Sequence, residues 1–225
     1  MKNKKQIFKI LYKILLVTLG TMFIGLGAAL QKTSNMGQDP LSAMSFSFVY
    51  LVDVKWINYS VCYATINLLF FIFMLFALRK SIHVGTVINF LLTGVFCDLY
   101  LELFSILGIE INHIALKLII GLFGILSVGF GVALYIGTNM GIAPYDAMPI
   151  IMTRKIPKLK FKYAKIITDL CCVLVAIIVG IIILHRNDII SVNTILSFLI
   201  LGPSISLFNK FLSSTLYKNE EKVID

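Results

Sequence analysis

The sequence predicts an all-α polytopic membrane protein: six transmembrane helices in two inverted three-helix repeats, each repeat carrying a short Pro-initiated re-entrant or interfacial helix. Three observations predict it. The 225-residue chain is 59% hydrophobic and 14% charged with a mean hydropathy of +0.94, too little polar surface for a water-soluble domain. It contains six apolar runs long enough to cross a hydrocarbon core of about 30 Å. A stretch near the end of the first run recurs near the end of the fourth.

The runs cover about 10–32, 57–78, 84–104, 115–137, 161–184 and 190–208. The first follows a lysine-rich start, as a cleaved signal peptide would. It is too long for a signal core, and its end is copied inside the chain, so it reads as a span. With the N-terminus in the cytoplasm, sixteen of the 20 Lys and Arg residues fall inside and four fall outside (Lys32, Lys55, Lys117 and Arg186). Basic residues are retained on the cytoplasmic side during insertion, so both termini are predicted cytoplasmic. The formal charge of +9 therefore reports topology; no basic and aromatic pattern supports nucleic-acid binding.

Residues 25–44 read GLGAALQKTSNMGQDPLSAM and residues 129–148 read GFGVALYIGTNMGIAPYDAM, with ten of twenty positions identical at an offset of 104. The identities are mostly Gly, Asn, Met and Pro, which chance matching of apolar sequence does not favour. The third helices correspond at an offset of 108, Val84-Gly85-Thr86 with Val192-Asn193-Thr194 and Gly94 with Gly202. Three spans per unit is odd, so tandem copies lie upside down relative to each other, as in many secondary transporters. The chain reads as one membrane domain, 1–225: repeat one over about 10–104, repeat two over about 115–208, and a cytoplasmic tail over 209–225.

Each N-M-G-x-x-P stretch predicts a helix stop and restart. Asn and Gly tolerate the positive φ of a C-terminal cap, and Pro suits the first turn of a new helix. The long helices therefore end at Asn35-Met36-Gly37 and Asn139-Met140-Gly141. Short helices start at Pro40 and Pro144, reaching about Val52 and Met152. Helix starts expose free N–H groups that suit an anionic or polar ligand. Capping by the neighbouring Asp39 and Asp146 is the competing role. Gly25 with Ala29, and Gly129 with Ala133, form small faces expected to pack the two repeats together.

Ionisable residues inside spans are costly and point to function. Asp98 lies in the third run. Asp169 lies in the fifth, with Lys165 four residues earlier as a helical ion-pair partner. The candidate substrate-binding set is Asn35, Asp39, Pro40, Asp98, Asn139, Pro144, Asp146 and Asp169. The cysteines Cys62, Cys97, Cys171 and Cys172 lie in apolar stretches without metal-ligand spacing, as do the run-end histidines His83, His113 and His185. No metal, cofactor or catalytic motif is expected, and the chain is not read as an enzyme.

The twin N-M-G-x-x-P stretches, with Gly85-Thr86…Gly94…Asp98 and Asn193-Thr194…Gly202-Pro203, resemble the YczE/YyaS/YitT group of bacterial integral membrane proteins, most closely its YczE-like branch. The resemblance runs from about Leu16 to Phe208. Tyr145-Asp146 fits the aromatic–acidic pair that follows the Pro in that group; Leu41-Ser42 departs from it, as do Asn193 and Ser206. The resemblance implies a bacterial inner-membrane protein and no particular substrate. Architecture favours a small-molecule permease or exporter working by alternating access. The alternative is a non-transporting accessory or regulatory membrane protein. Expected partners are the lipid bilayer, a small-molecule substrate, and either a second copy or a membrane partner protein.

Overall fold

The computed structural model describes residues 2–186 and 188–216, with side chains from residue 6 onward. Its helices are α1 (Lys2–Ser34), α2 (Pro40–Val52), α3 (Tyr59–Ala77), α4 (Val84–Ile106), α5 (Ile114–Ile136), α6 (Pro144–Lys155), α7 (Phe161–Ala176) and α8 (Val192–Thr215). A 3-10 turn, Arg79–Ser81, precedes α4, and α7 runs on as a π-helix over Ile177–Ile183. Among the described residues no strand occurs. Among the same described residues six helices are long and apolar enough to cross a membrane, which marks the chain as multi-pass. Large apolar side chains such as Phe76, Phe123 and Leu199 point outward from the bundle, as lipid-facing residues must. Helix α8 continues to Thr215, beyond the end expected at 208. Residues 217–225, with Lys218 and Lys222, lie outside the described residues, as do the side chains of Lys2, Lys4 and Lys5.

The centre of the molecule is the crossing of α1 and α5, its most extensive helix pair. The two helices run antiparallel: Gly20 meets Gly131, and Gly27 meets Gly124. A Cβ added at Gly27 would lie 2.5 Å from the Gly124 carbonyl oxygen, and one at Gly20 would lie 2.7 Å from that of Gly131. Both obstacles are backbone, so only glycine permits this approach. Between the two glycine pairs the Ser127 hydroxyl donates to the Phe23 carbonyl at 2.7 Å.

Gly25 and Gly129 serve a different contact from the one expected. A Cβ at Gly25 would meet Thr93, Phe96 and Cys97 of α4, and one at Gly129 would meet Ser204 of α8. Each long helix thus has two small-residue faces. One joins α1 to α5, and the other seats the third long helix of the same half.

The breaks between α1 and α2 and between α5 and α6 have matching geometry. Asn35 and Asn139 both take φ 56°, and Gly37 and Gly141 take φ 88° and 111°. Before each break a hydroxyl bonds back into its own helix, Ser34 to Gln31 O at 2.6 Å and Thr138 to Tyr135 O at 2.7 Å.

Both breaks dock on the other half of the chain. The Met36 carbonyl accepts from Asn193 N at 2.8 Å, and that of Met140 accepts from Gly85 N at 2.9 Å. Gln38 N donates to Ile189 O at 3.2 Å, as Ile142 N does to Ser81 O at 3.4 Å. The receiving helix starts are also alike: Thr86 Oγ1 accepts from His83 N, and Thr194 Oγ1 from Ser191 N, each at 3.4 Å. Short helix α2 packs on α7 as well as α3, and α6 packs on α3 as well as α7.

The glycine crossing makes a direct prediction. Gly27→Ala is expected to cost more than the ~1–3 kcal/mol of ordinary overpacking, because backbone rather than a side chain blocks it. Gly202→Ala, with nothing within 4 Å of the new Cβ, is expected to be neutral or to stabilise by up to ~1 kcal/mol. Thermal unfolding of the two variants in one detergent checks the contrast; equal melting temperatures would contradict the crossing.

Candidate functional site

The two short helices begin at one place. Pro40 and Pro144 are their first residues, and proline there loses no hydrogen bond. The residues around both starts, Asp39, Leu41 and Ser42 of the first and Ala143, Tyr145 and Asp146 of the second, line a common cavity of about 50 Å³. Ile24, Val128, Val132, Leu201 and Ile205 form its apolar side, and Tyr63, Asn89 and Lys165 complete its polar side. A cavity of this volume with several polar groups on its wall admits a few water molecules or a very small ligand.

The helix starts differ in how they are capped. Asp39 lies in extended conformation before α2 and accepts from Ser42 N at 3.2 Å. The Ser42 hydroxyl meets the Tyr59 hydroxyl at 2.9 Å, and the Tyr59 ring stacks on Phe46 at 4.4 Å, which ties the capped start to α3. At α6 the cap position is Ala143, which has no capping side chain. Asp146, within that first turn, accepts from the Tyr135 hydroxyl at 2.5 Å, so its carboxylate joins α6 to α5. The anionic group that an exposed helix start favours is in both cases the protein's own.

The charges converge on Lys165. Its ammonium lies 2.9 Å from Asp169 Oδ1 and 3.9 Å from Asp146 Oδ1, and 4.1 Å from the centre of the Tyr145 ring. The Tyr145 hydroxyl donates to Asp169. The Lys165 and Asp146 side chains are 24% exposed and that of Asp169 is 10%, while Tyr145 is buried. A desolvated ion pair requires this kind of support, because each ion loses its hydration and must recover it from fixed partners. The set Asp39, Asp146, Asp169 and Lys165 contains three carboxylates and one ammonium, so its formal balance is negative.

The first half contributes Asp39 to this set but has no counterpart of the Lys165–Asp169 pair. Counted from their first residues, Tyr59 and Phe161, α3 and α7 set Tyr63 and Asn67 where Lys165 and Asp169 stand. Asn67 donates to its own helix at Tyr63 O, 3.0 Å away. Asn89 on α4 lines the cavity at 1% exposure with its side-chain nitrogen unpaired. Ser197, the α8 counterpart at the offset of 108, is likewise buried with an unpaired hydroxyl.

Of the eight residues singled out in the sequence, Asp39 and Asp146 line the cavity and Asp169 stands directly behind Lys165. Pro40 and Pro144 start the helices that reach it, and Asn35 and Asn139 form the turns before them. Asp98 does not line the cavity; it accepts from Ser60 N at 2.8 Å and caps the first turn of α3. The residues that pattern alone did not single out are Ser42, Tyr63, Asn89, Tyr145 and Lys165. Lys165 was visible as a partner four residues from Asp169. Tyr145 was visible as the aromatic member of the pair after Pro144, and Asn89 as a polar residue in a span; Ser42 and Tyr63 carry no local signal.

A second ion cluster covers the opposite end of the α1–α2 unit. Asp188 accepts from Lys32 Nζ at 2.9 Å and from Arg186 Nε at 3.0 Å. Both cations lie over the Tyr50 ring, at 4.9 Å and 3.8 Å. Partial burial opposes ionisation of Asp188, yet the hydrogen bonds from Arg186 and Lys32 outweigh it and hold the carboxyl down at about 2. A depressed carboxyl stabilises the fold above its unfolded value, near 4; that stability is lost as pH falls from there through about 2. Asp188→Asn is expected to destabilise the fold at pH 7 by ~1–3 kcal/mol through lost charge-assisted bonding, read as a lower melting temperature. The gap to the unsubstituted protein should close as the pH approaches 2. A gap independent of pH would contradict the pairing.

No curated protein and no solved structure matches the chain. A family model matches residues 11–210, nearly all of the two halves described above. By that match the chain belongs to DUF6198, a family of unknown function.

Proposed function

We propose that this protein is a small-molecule permease or exporter that works by alternating access between two inverted repeats, with its substrate in the cavity where α2 and α6 begin. The observation that carries this reading is the convergence of two interrupted helices, one from each half, on a mostly apolar cavity with charged and polar groups on one wall, between membrane-spanning helices. Broken helices at equivalent positions of a repeated fold are where secondary transporters hold their substrates. Charged groups kept at such a site at the cost of desolvation are better explained by binding than by packing.

Several features support the inverted relation of the halves. The α1–α5 crossing is antiparallel, and Gly20–Gly131 corresponds to Gly124–Gly27 at the offset of 104. The cross-half backbone bonds correspond in the same way. Under this reading the cytoplasmic side holds both termini and the basic α6–α7 loop, in a bacterial inner membrane, as the resemblance to the YczE-like branch implies. Rocking one half against the other about the α1–α5 crossing would open the cavity to each side in turn. Binding and release complete the cycle, and no bond in the substrate is made or broken.

A test that needs no knowledge of the substrate uses a single cysteine at Asn89 on the cavity wall, with the four native cysteines replaced. Alternating access predicts that a membrane-impermeant thiol reagent reaches it from the outside in whole cells and from the inside in inverted vesicles. Reaction from neither face, in a protein that still inserts and folds, would sink the permease reading and favour an accessory role.

A further inference from the structure

Resting on the permease reading, we infer that the cavity selects a small organic cation, a protonated primary amine, and that the Lys165 ammonium is the internal occupant with which this cargo competes. The ammonium already present shows what the site recognises. It is held by Asp169 at 2.9 Å, faces Asp146 at 3.9 Å, and lies over the Tyr145 ring at 4.1 Å. Carboxylates together with an aromatic face form a recognition set for ammonium groups.

One resident cation does not balance the site. Asp39, Asp146 and Asp169 face a single Lys165, so a second positive charge is favoured beside the first or in its place. The two helix starts add positive dipole ends, but Asp39 already takes the α2 start and Asp146 occupies the first turn of α6. An anionic cargo would meet carboxylates at both.

Independent of the charges, Asn89 is 1% exposed on the cavity wall with its side-chain nitrogen unpaired. An unpaired buried amide is costly unless something in the cavity bonds to it. The unpaired nitrogen is a donor, so it orients the water around a bound cation rather than the cation itself. The volume of about 50 Å³ limits the cargo to the size of methylammonium or ethylammonium. Ile24, Val132 and Leu201 suit its alkyl end.

Competition sets the test. Purified full-length protein in lipid nanodiscs is titrated calorimetrically with ethylammonium chloride. Sodium chloride and potassium chloride, and sodium acetate for an anionic cargo, are run at matched ionic strength. The proposal expects saturable ethylammonium binding to the unsubstituted protein, and binding about tenfold or more tighter to Lys165→Met, since the competing cation is gone. Asp146→Asn in the Lys165→Met background should return the affinity to the starting value or below.

If Lys165→Met does not fold, Lys165→Met/Asp169→Asn decides, because it removes one charge of each sign; it should bind ethylammonium at least as tightly as the unsubstituted protein. Ethylammonium binding that Lys165 removal leaves unchanged or weakens overturns the competition, and preferential binding of sodium, potassium or acetate overturns the cargo class. These outcomes are separate from the fate of the permease reading. Amine binding without two-sided access at Asn89 leaves a cation site in a protein that does not transport. Two-sided access without amine binding leaves a permease for something else.

Discussion

Two interrupted helices place unpaired backbone groups inside an apolar bundle, and much of the rest of the structure answers that constraint. A carbonyl or amide without a partner costs several kcal/mol in hydrocarbon, so irregular backbone survives there only when protein or water satisfies it. Here each break is satisfied by the half of the chain that does not contain it. Met36 and Gln38 bond to the start of α8 and the residues before it, while Met140 and Ile142 bond to the start of α4 and the residues before it. The breaks consequently hold the halves together at two places, with the glycine crossing of α1 and α5 between them. Glycine at 37 follows from the same constraint: a Cβ there would run into Ser191 N and lie 2.8 Å from Thr194 Oγ1.

On this paired backbone frame the two halves carry different chemistry. The frame needs Asn, Gly and Pro at fixed positions in both, and both have them. The side chains that face the cavity are free of that requirement and have diverged: Lys165 and Asp169 stand on α7 where α3 has Tyr63 and Asn67, and Tyr145-Asp146 stands where the first half has Leu41-Ser42. A single cavity shared by two halves needs only one such Lys–Asp pair. A second set would add desolvation cost without enlarging the site. A difference of this kind fits the proposed binding site, shared by two similar frames, better than helices that only pack.

What the sequence disclosed and what it hid divide along the same line. The breaks at Asn35-Met36-Gly37 and Asn139-Met140-Gly141 were legible because positive φ and a proline start are local requirements that few residues meet. The six spans were legible because a bilayer imposes a length and a composition. Asp98 looked functional, since no opposite charge lies within a helical turn of it; its partner is the backbone of Ser60, far along the chain and invisible to periodicity. Tyr145 was marked only by its fit to the aromatic–acidic pair after the Pro, and Asn89 only as one polar residue among several in the spans; Tyr63 carried no signal, because an aromatic ring in a span resembles any packed core residue. The small-residue faces were visible, but which helix each face meets is a property of the assembled bundle: Gly25 seats α4, and Gly27, two positions on, seats α5.

Alternating access in this protein depends most directly on the two halves facing opposite ways across the bilayer. The loops that follow the short helices test it, with Lys55 after α2 and Lys158 after α6, both exposed. Each is replaced singly by cysteine in a background without Cys62, Cys97, Cys171 and Cys172, and intact cells are treated with a membrane-impermeant thiol reagent before and after permeabilisation. With the halves inverted, the cysteine at 55 labels in intact cells and the one at 158 only once the membrane is opened. Labelling of both from the same side would contradict the inverted relation, and with it the cavity between opposed helix starts.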